Sequence, residues 1–137
     1  MSIESSTTFI RTVMPFCATL GVRSTLQTPD EVVLEMPWAP ELCTAGGVLH
    51  GGAIMALADS AGAVCTMLNM PEGATGTATI ESKTNFLGAV REGVVIATST
   101  PLHRGGSTIV IETTVRDSAG KLIAKVTQTQ IVLRYRS

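Results

Sequence analysis

Between Gly46 and Asn69, a glycine-rich loop with one histidine runs into a long segment of small and apolar residues that carries a single charge, Asp59. A run of that length, apolar on nearly every face, is expected to be a helix buried at the centre of the fold. Its many Ala and Gly residues let other backbone or a ligand come close. Asp59 sits mid-segment with Met55, Ala56, Gly62 and Ala63 at helical spacing around it, and none of these can pair a carboxylate. An ionisable group in such a place must be hydrogen-bonded, paired or kept for chemistry, because burying it unaided is costly. A surface or purely structural aspartate is the plainer alternative, and the missing partner weighs against it.

The start of the segment adds a second candidate. A loop histidine alone is usually structural, but His50 is followed directly by Gly51 and Gly52. Free N–H groups at a helix start, helped by the helix dipole, can hold an oxygen that gains negative charge. Gly51 and Asp59 are eight residues apart, roughly 12 Å along a helix at ~1.5 Å per residue. One carboxylate cannot span that distance to a carbonyl held at its own helix start. If both ends serve one reaction, they are expected to come from two copies of the chain in a symmetric assembly.

The flanks predict an antiparallel sheet. Residues 7–19 carry Phe9, Ile10, Val13, Met14, Phe16 and Cys17 at helical spacing, with Ser5 or Ser6 as a cap, a break near Pro15 and an end at Gly21. Residues 22–28 and 32–36 follow as strands around a Pro29-Asp30 turn, and 37–49 as an irregular loop in which Trp38 is a packing residue. After a Pro71-Glu72-Gly73 turn come four strand-like runs, 76–87, 93–103, 107–117 and 121–134. Turn chemistry separates them at Arg91-Glu92-Gly93, at Arg104-Gly105-Gly106 and from Asp117 to Lys121. One long helix between a hairpin and a meander gives an α+β fold with the sheet wrapped around the helix, expected as a single domain over residues 1–137.

Composition narrows the function classes. Apolar residues make up 45% and charged ones 15%, which argues against disorder and for further burial in an oligomer. The net charge of −1 points to no nucleic acid and no anionic membrane. The two halves differ: residues 1–80 hold two Lys/Arg against seven acids, and residues 81–137 hold eight against four, a balance that suits an anionic ligand. Cys17, Cys43 and Cys65 have no CxxC spacing and indicate neither a disulfide framework nor a metal site. The stretch from Met1 to Ser6 shows no basic region leading into an apolar run, so a cytoplasmic location is expected.

The run Gly47-Val48-Leu49-His50-Gly51-Gly52 followed by Leu57-Ala58-Asp59 resembles the HGG…LAD signature of hotdog-fold acyl-CoA thioesterases, nearest to the phenylacetate-pathway (PaaI-like) branch. The similarity extends to Pro15-Phe16 with Leu20-Gly21, to the Lys83 to Leu87 strand, and to the hairpins at Arg104 to Thr108 and Asp117 to Ala124. The resemblance implies that the Gly51 or Gly52 N–H polarises the thioester carbonyl and that His50 and Gly47 help form that corner. Asp59 of the partner subunit would be general base or nucleophile, and Thr79 would orient the water. Thr44 stands where the family often has Asn, six residues before the histidine, beside the reacting carbonyl. Asn85, His103 and Arg104 would line the substrate, the last two near the nucleotide or phosphates of coenzyme A. The implied partner is an acyl-CoA, the implied assembly a homodimer or dimer of dimers. Coenzyme A would be part of the substrate, with no further cofactor and no metal.

The chemistry suits these residues independently of the family. A thioester needs a polarised carbonyl and an activated water, and its thiolate leaves with little acid assistance. No nucleophile elbow, phosphate loop or metal motif is present in the sequence. Two other classes on the same fold compete: an acyl-CoA binding or sensing protein without hydrolysis, and a hydratase or dehydratase. An HGG run opening the helix is not the mark of the latter.

Overall fold

The computed structural model describes residues 1–135. Helix α1 (Ile3–Val13) opens at Ser2, whose Oγ accepts the Ser5 N–H at 3.1 Å. The helix therefore starts a turn earlier than its apolar spacing suggests, and Ser2 caps it in place of Ser5 or Ser6. Pro15 ends it, because the residue before a proline is pushed out of the helical region; Met14 adopts φ −127°, ψ 83°. A proline with no N–H to lose is well suited to a first helical position, and a second helix, α2 (Pro15–Leu20), begins there and stops at Gly21, φ 71°.

Helix α3 (Gly51–Met67) is the long central element. Around it lie strands β1 (Arg23–Gln27), β2 (Val32–Pro37), β3 (Gly76–Phe86), β4 (Val94–Arg104), β5 (Thr108–Asp117) and β6 (Leu122–Leu133). They form one six-stranded sheet in the order β1-β2-β4-β5-β6-β3, antiparallel at every pairing. Burial alternates along β4, β5 and the second half of β6, as a sheet with one face on a core requires. The inward row includes Val95, Ala97, Ile109, Ile111, Val115 and Val126, and α3 packs on it through Leu57, Ala58, Ala61 and Cys65. No helix among the described residues is long and apolar enough to cross a membrane.

Two features of this frame position the site. Strand β3 is eleven residues long, sits at the sheet edge and pairs only with β6. A bulge between Thr79 and Glu81 inserts Ile80 into it. The extra residue keeps Thr77, Thr79, Ser82, Thr84 and Phe86 in register with the inward side chains of β6.

The central helix is not buried all round, which corrects the reading of its composition. Gly52, Met55 and Asp59 are exposed, and Ala56 and Ala63 half-exposed, on a single stripe at helical spacing. Small residues, Met55 and a carboxylate occupy that stripe, while Ile54, Leu57, Val64 and Cys65 are buried.

Candidate active site

The loop before α3 is held by its backbone. Cys43 and Leu49 form an isolated antiparallel bridge, the Thr44 N–H donates to the Val48 carbonyl at 2.8 Å, and the His50 N–H donates to the Leu42 carbonyl at 2.9 Å. The reversal between them needs Gly46 and Gly47, which take φ of 76° and 72°, a region that side-chain-bearing residues avoid. A Cβ on either would meet nothing within 4 Å, so conformation, not space, is what requires glycine. Trp38 does more than pack: its Nε1 donates to the Gly47 carbonyl at 3.0 Å, tying the loop to the end of β2.

This loop delivers His50 to the N-cap of α3. Its Nδ1 accepts the Gly52 N–H at 2.8 Å. With Nδ1 an acceptor, the neutral ring carries its proton on Nε2. A Cβ on Gly52 would lie 2.9 Å from Nδ1, so glycine is needed for the cap. The bond also separates two candidates that the sequence leaves equivalent: the Gly52 N–H is taken by the ring, and the Gly51 N–H has no acceptor among the described residues. The Phe86 ring lies against Gly51, at 3.2 Å from where its Cβ would stand.

Asp59 has partners that sequence spacing along the helix could not reveal. Its Oδ1 accepts from Thr79 Oγ1 at 3.3 Å and from Gln128 Nε2 at 3.4 Å. Thr79 Oγ1 in turn accepts from Gln130 Nε2 at 2.7 Å. Asp59 and Thr79 are exposed in the single chain, whereas Gln128 and Gln130 are 0% and 2% exposed. The two glutamines escaped the sequence reading, although the period-2 alternation of 121–134 sets them in the same row as Val126 and Val132. Two amides at core positions of a strand were the available signal.

The remaining candidates divide. Thr44 and Gly47 belong to the loop beside His50, and the Thr44 hydroxyl has no hydrogen bond among the described residues. Asn85 pairs with Lys125 in the outward register of β6, so it lies on the opposite face of the sheet from α3. Arg104 binds the β1–β2 turn, with Nη2 at 2.7 Å from Asp30 Oδ1 and 3.2 Å from the Pro29 carbonyl. Asn69, beyond the C-terminal end of α3, donates to the same carbonyl at 2.7 Å. Arg104 and its neighbour His103 are thus at the other end of α3 from His50, and one chain does not bring them or Asn85 to the helix start. Burial pushes the Cys65 thiol up to about 11 and raises that of Cys17, so neither supplies a thiolate nucleophile near neutral pH.

The family model for the thioesterase superfamily matches residues 46–124, more than half of the chain, including all of α3 and the loop from Gly46 to His50. The chain belongs to the thioesterase superfamily. A protein of Saccharolobus solfataricus, provisionally named an esterase, is 35% identical over 102 residues, 74% of this chain and 71% of that one. The 1,4-dihydroxy-2-naphthoyl-CoA hydrolase of Escherichia coli is 34% identical over 87 residues, 64% of this chain and 63% of the hydrolase. The structure of a thioesterase family protein from Silicibacter pomeroyi superimposes with a TM-score of 0.84 at 28% identity, covering 97% of this chain and 99% of that one. The α+β architecture with its sheet around α3 is the hotdog fold of these thioesterases, and thioester hydrolysis is the chemistry of the family.

Proposed function

We propose that this thioesterase-superfamily protein hydrolyses an acyl-CoA to the free acid and coenzyme A, through a site shared by two subunits. The observation that carries the reading is the pairing of Asp59 with Thr79 on the exposed stripe of α3, together with a helix start whose Gly51 N–H is free of protein acceptors. In this mechanism the thioester carbonyl lies at the helix start of one subunit and its oxygen takes the Gly51 N–H as negative charge develops. Asp59 of the other subunit, with Thr79, holds a water and removes its proton as it attacks. The tetrahedral intermediate collapses and expels the coenzyme A thiolate.

Two further observations support it. The stripe of Gly52, Met55 and Asp59 and the unpaired edge of β3 are open in the single chain, and both suit a symmetric partner. A cavity of about 280 Å³ lined by Val13, Met14, Ala63, Met67, Met70 and Thr77 lies one helical turn beyond Asp59, fit for an apolar acyl group. The coenzyme A half of the substrate is argued by analogy with the naphthoyl-CoA hydrolase.

Release of free thiol from a panel of short, medium and aryl acyl-CoAs tests the proposal. Turnover of at least one is expected, and tight binding without thiol release from any would favour the binding or sensing alternative. Thr44 tunes the same corner. Thr44→Asn, which restores a longer donor beside the helix start, is expected to raise turnover several-fold, within the range of one added hydrogen bond. An unchanged rate would remove Thr44 from the reach of the carbonyl.

A further inference from the structure

Strand β6 places two amides where its alternation calls for core side chains. Gln128 and Gln130 follow Ala124 and Val126 in the inward row and precede Val132. A buried amide is unfavourable unless its groups are bonded, and a methionine of similar length would fill either place without that requirement. Both instead send Nε2 toward the Asp59–Thr79 pair. We propose that Gln128 and Gln130 are positioning residues that set the direction of every hydrogen bond in that pair, and that Gly62 is the clearance through which Gln128 reaches it.

The directions follow from donor chemistry. An amide NH2 only donates, so at 2.7 Å from Gln130 Nε2 the Thr79 oxygen is the acceptor. Its single proton is then directed to Asp59 Oδ1 at 3.3 Å. Gln128 Nε2 donates to that same oxygen at 3.4 Å. Both donors converge on Oδ1, which leaves Oδ2 and one lone pair of Thr79 as the two acceptors available to a water. A water held by both of its protons presents its own lone pair for attack.

Two details favour placement over filling. Gln128 Oε1 is buried and has no partner. Turning the amide over would set that oxygen against the carboxylate, so the charge on Asp59 holds it in the orientation that leaves Oε1 unbonded. A Cβ on Gly62 would stand 2.3 Å from Oε1 and 2.7 Å from Nε2. A glycine in mid-helix is destabilising relative to alanine, and here it makes room for the amide.

The inference rests on the proposed hydrolysis, and its test has one arm that needs no turnover. On the best acyl-CoA, Gln128→Met and Gln130→Met are each expected to lower kcat about tenfold with KM within about twofold, the scale of one hydrogen bond to a charged or polarised group. Gln130→Met should add no loss on top of Thr79→Val, since Gln130 acts through that hydroxyl. Gly62→Ala, which displaces the amide without removing it, should reproduce Gln128→Met and add nothing to it. In NMR spectra of the protein, Asp59→Asn should shift the Gln128 side-chain amide resonances, and Thr79→Val those of Gln130. This arm reads the network even if no acyl-CoA is hydrolysed, and it leaves both glutamines in place. Wild-type kcat in the methionine variants, additive losses on Thr79→Val, or amide resonances indifferent to Asp59 and Thr79 would each overturn the inference.

Discussion

Asp59→Asn is expected to lower the proposed acyl-CoA hydrolysis by about two orders of magnitude or more, the lower end of what a positioned base contributes, while the protein stays folded. An asparagine oxygen can still accept from Thr79 Oγ1 and Gln128 Nε2, which lie 3.3 and 3.4 Å from the native Oδ1. What the amide cannot do is take a proton from water or attack a carbonyl. The position is exposed in the single chain, so the substitution is expected to change stability by no more than about 0.5 kcal/mol. Initial rates of thiol release, read beside a urea unfolding curve, check both halves of the expectation. Near-normal turnover in a folded variant would remove Asp59 from the chemistry.

The second large effect is recovery of activity. Asp59 and the helix start are roughly 12 Å apart along α3 at its rise of ~1.5 Å per residue, and the structure leaves both on the open side of the chain. In a two-fold dimer with paired helices, Asp59 of one subunit can face Gly51 of the other. Gly51→Val disables the helix start: its Cβ would come within 3.2 Å of the Phe86 ring, and the branched side chain crowds the only free N–H of the cap. Phe86 is 49% exposed, so the ring can move aside and the fold survive. Gly51→Val and Asp59→Asn are each expected to be inactive alone. Once their subunits exchange, each heterodimer holds one doubly damaged site and one intact site, and activity should return to about half of wild type per heterodimer. Heterodimers confirmed by mass spectrometry that remain inactive would place both groups in one chain and overturn the shared site.

Much of the frame was legible because it rests on local rules. A long apolar run opened by Gly51-Gly52 placed the central helix between Gly46 and Asn69, where the structure has Gly51–Met67, and alternation with turn residues found the four later strands to within a residue or so at each end. The helix start at His50-Gly51-Gly52 and the solitary charge of Asp59 were visible for the same reason: neighbours along one helix are given by spacing. Two local readings missed. The first helix begins at Ser2 because a serine hydroxyl captures an N–H there, whatever the apolar spacing beyond it. The second glycine of the helix start is occupied because the His50 ring folds back onto it.

What the chain alone determined is therefore its elements, their faces and the residue types that bear chemistry. Which strands lie side by side was decided by tertiary structure, since alternation specifies a face and says nothing of the neighbour. Placing β3 at the edge beside β6, with one bulged residue at Ile80, turns Thr79 toward Asp59 and aligns it with Gln130. The partners of Asp59 lie 20 and 69 residues away along the chain, beyond any local signal. The same sheet order leaves one stripe of α3 open, with Gly52, Met55 and Asp59 exposed among the described residues.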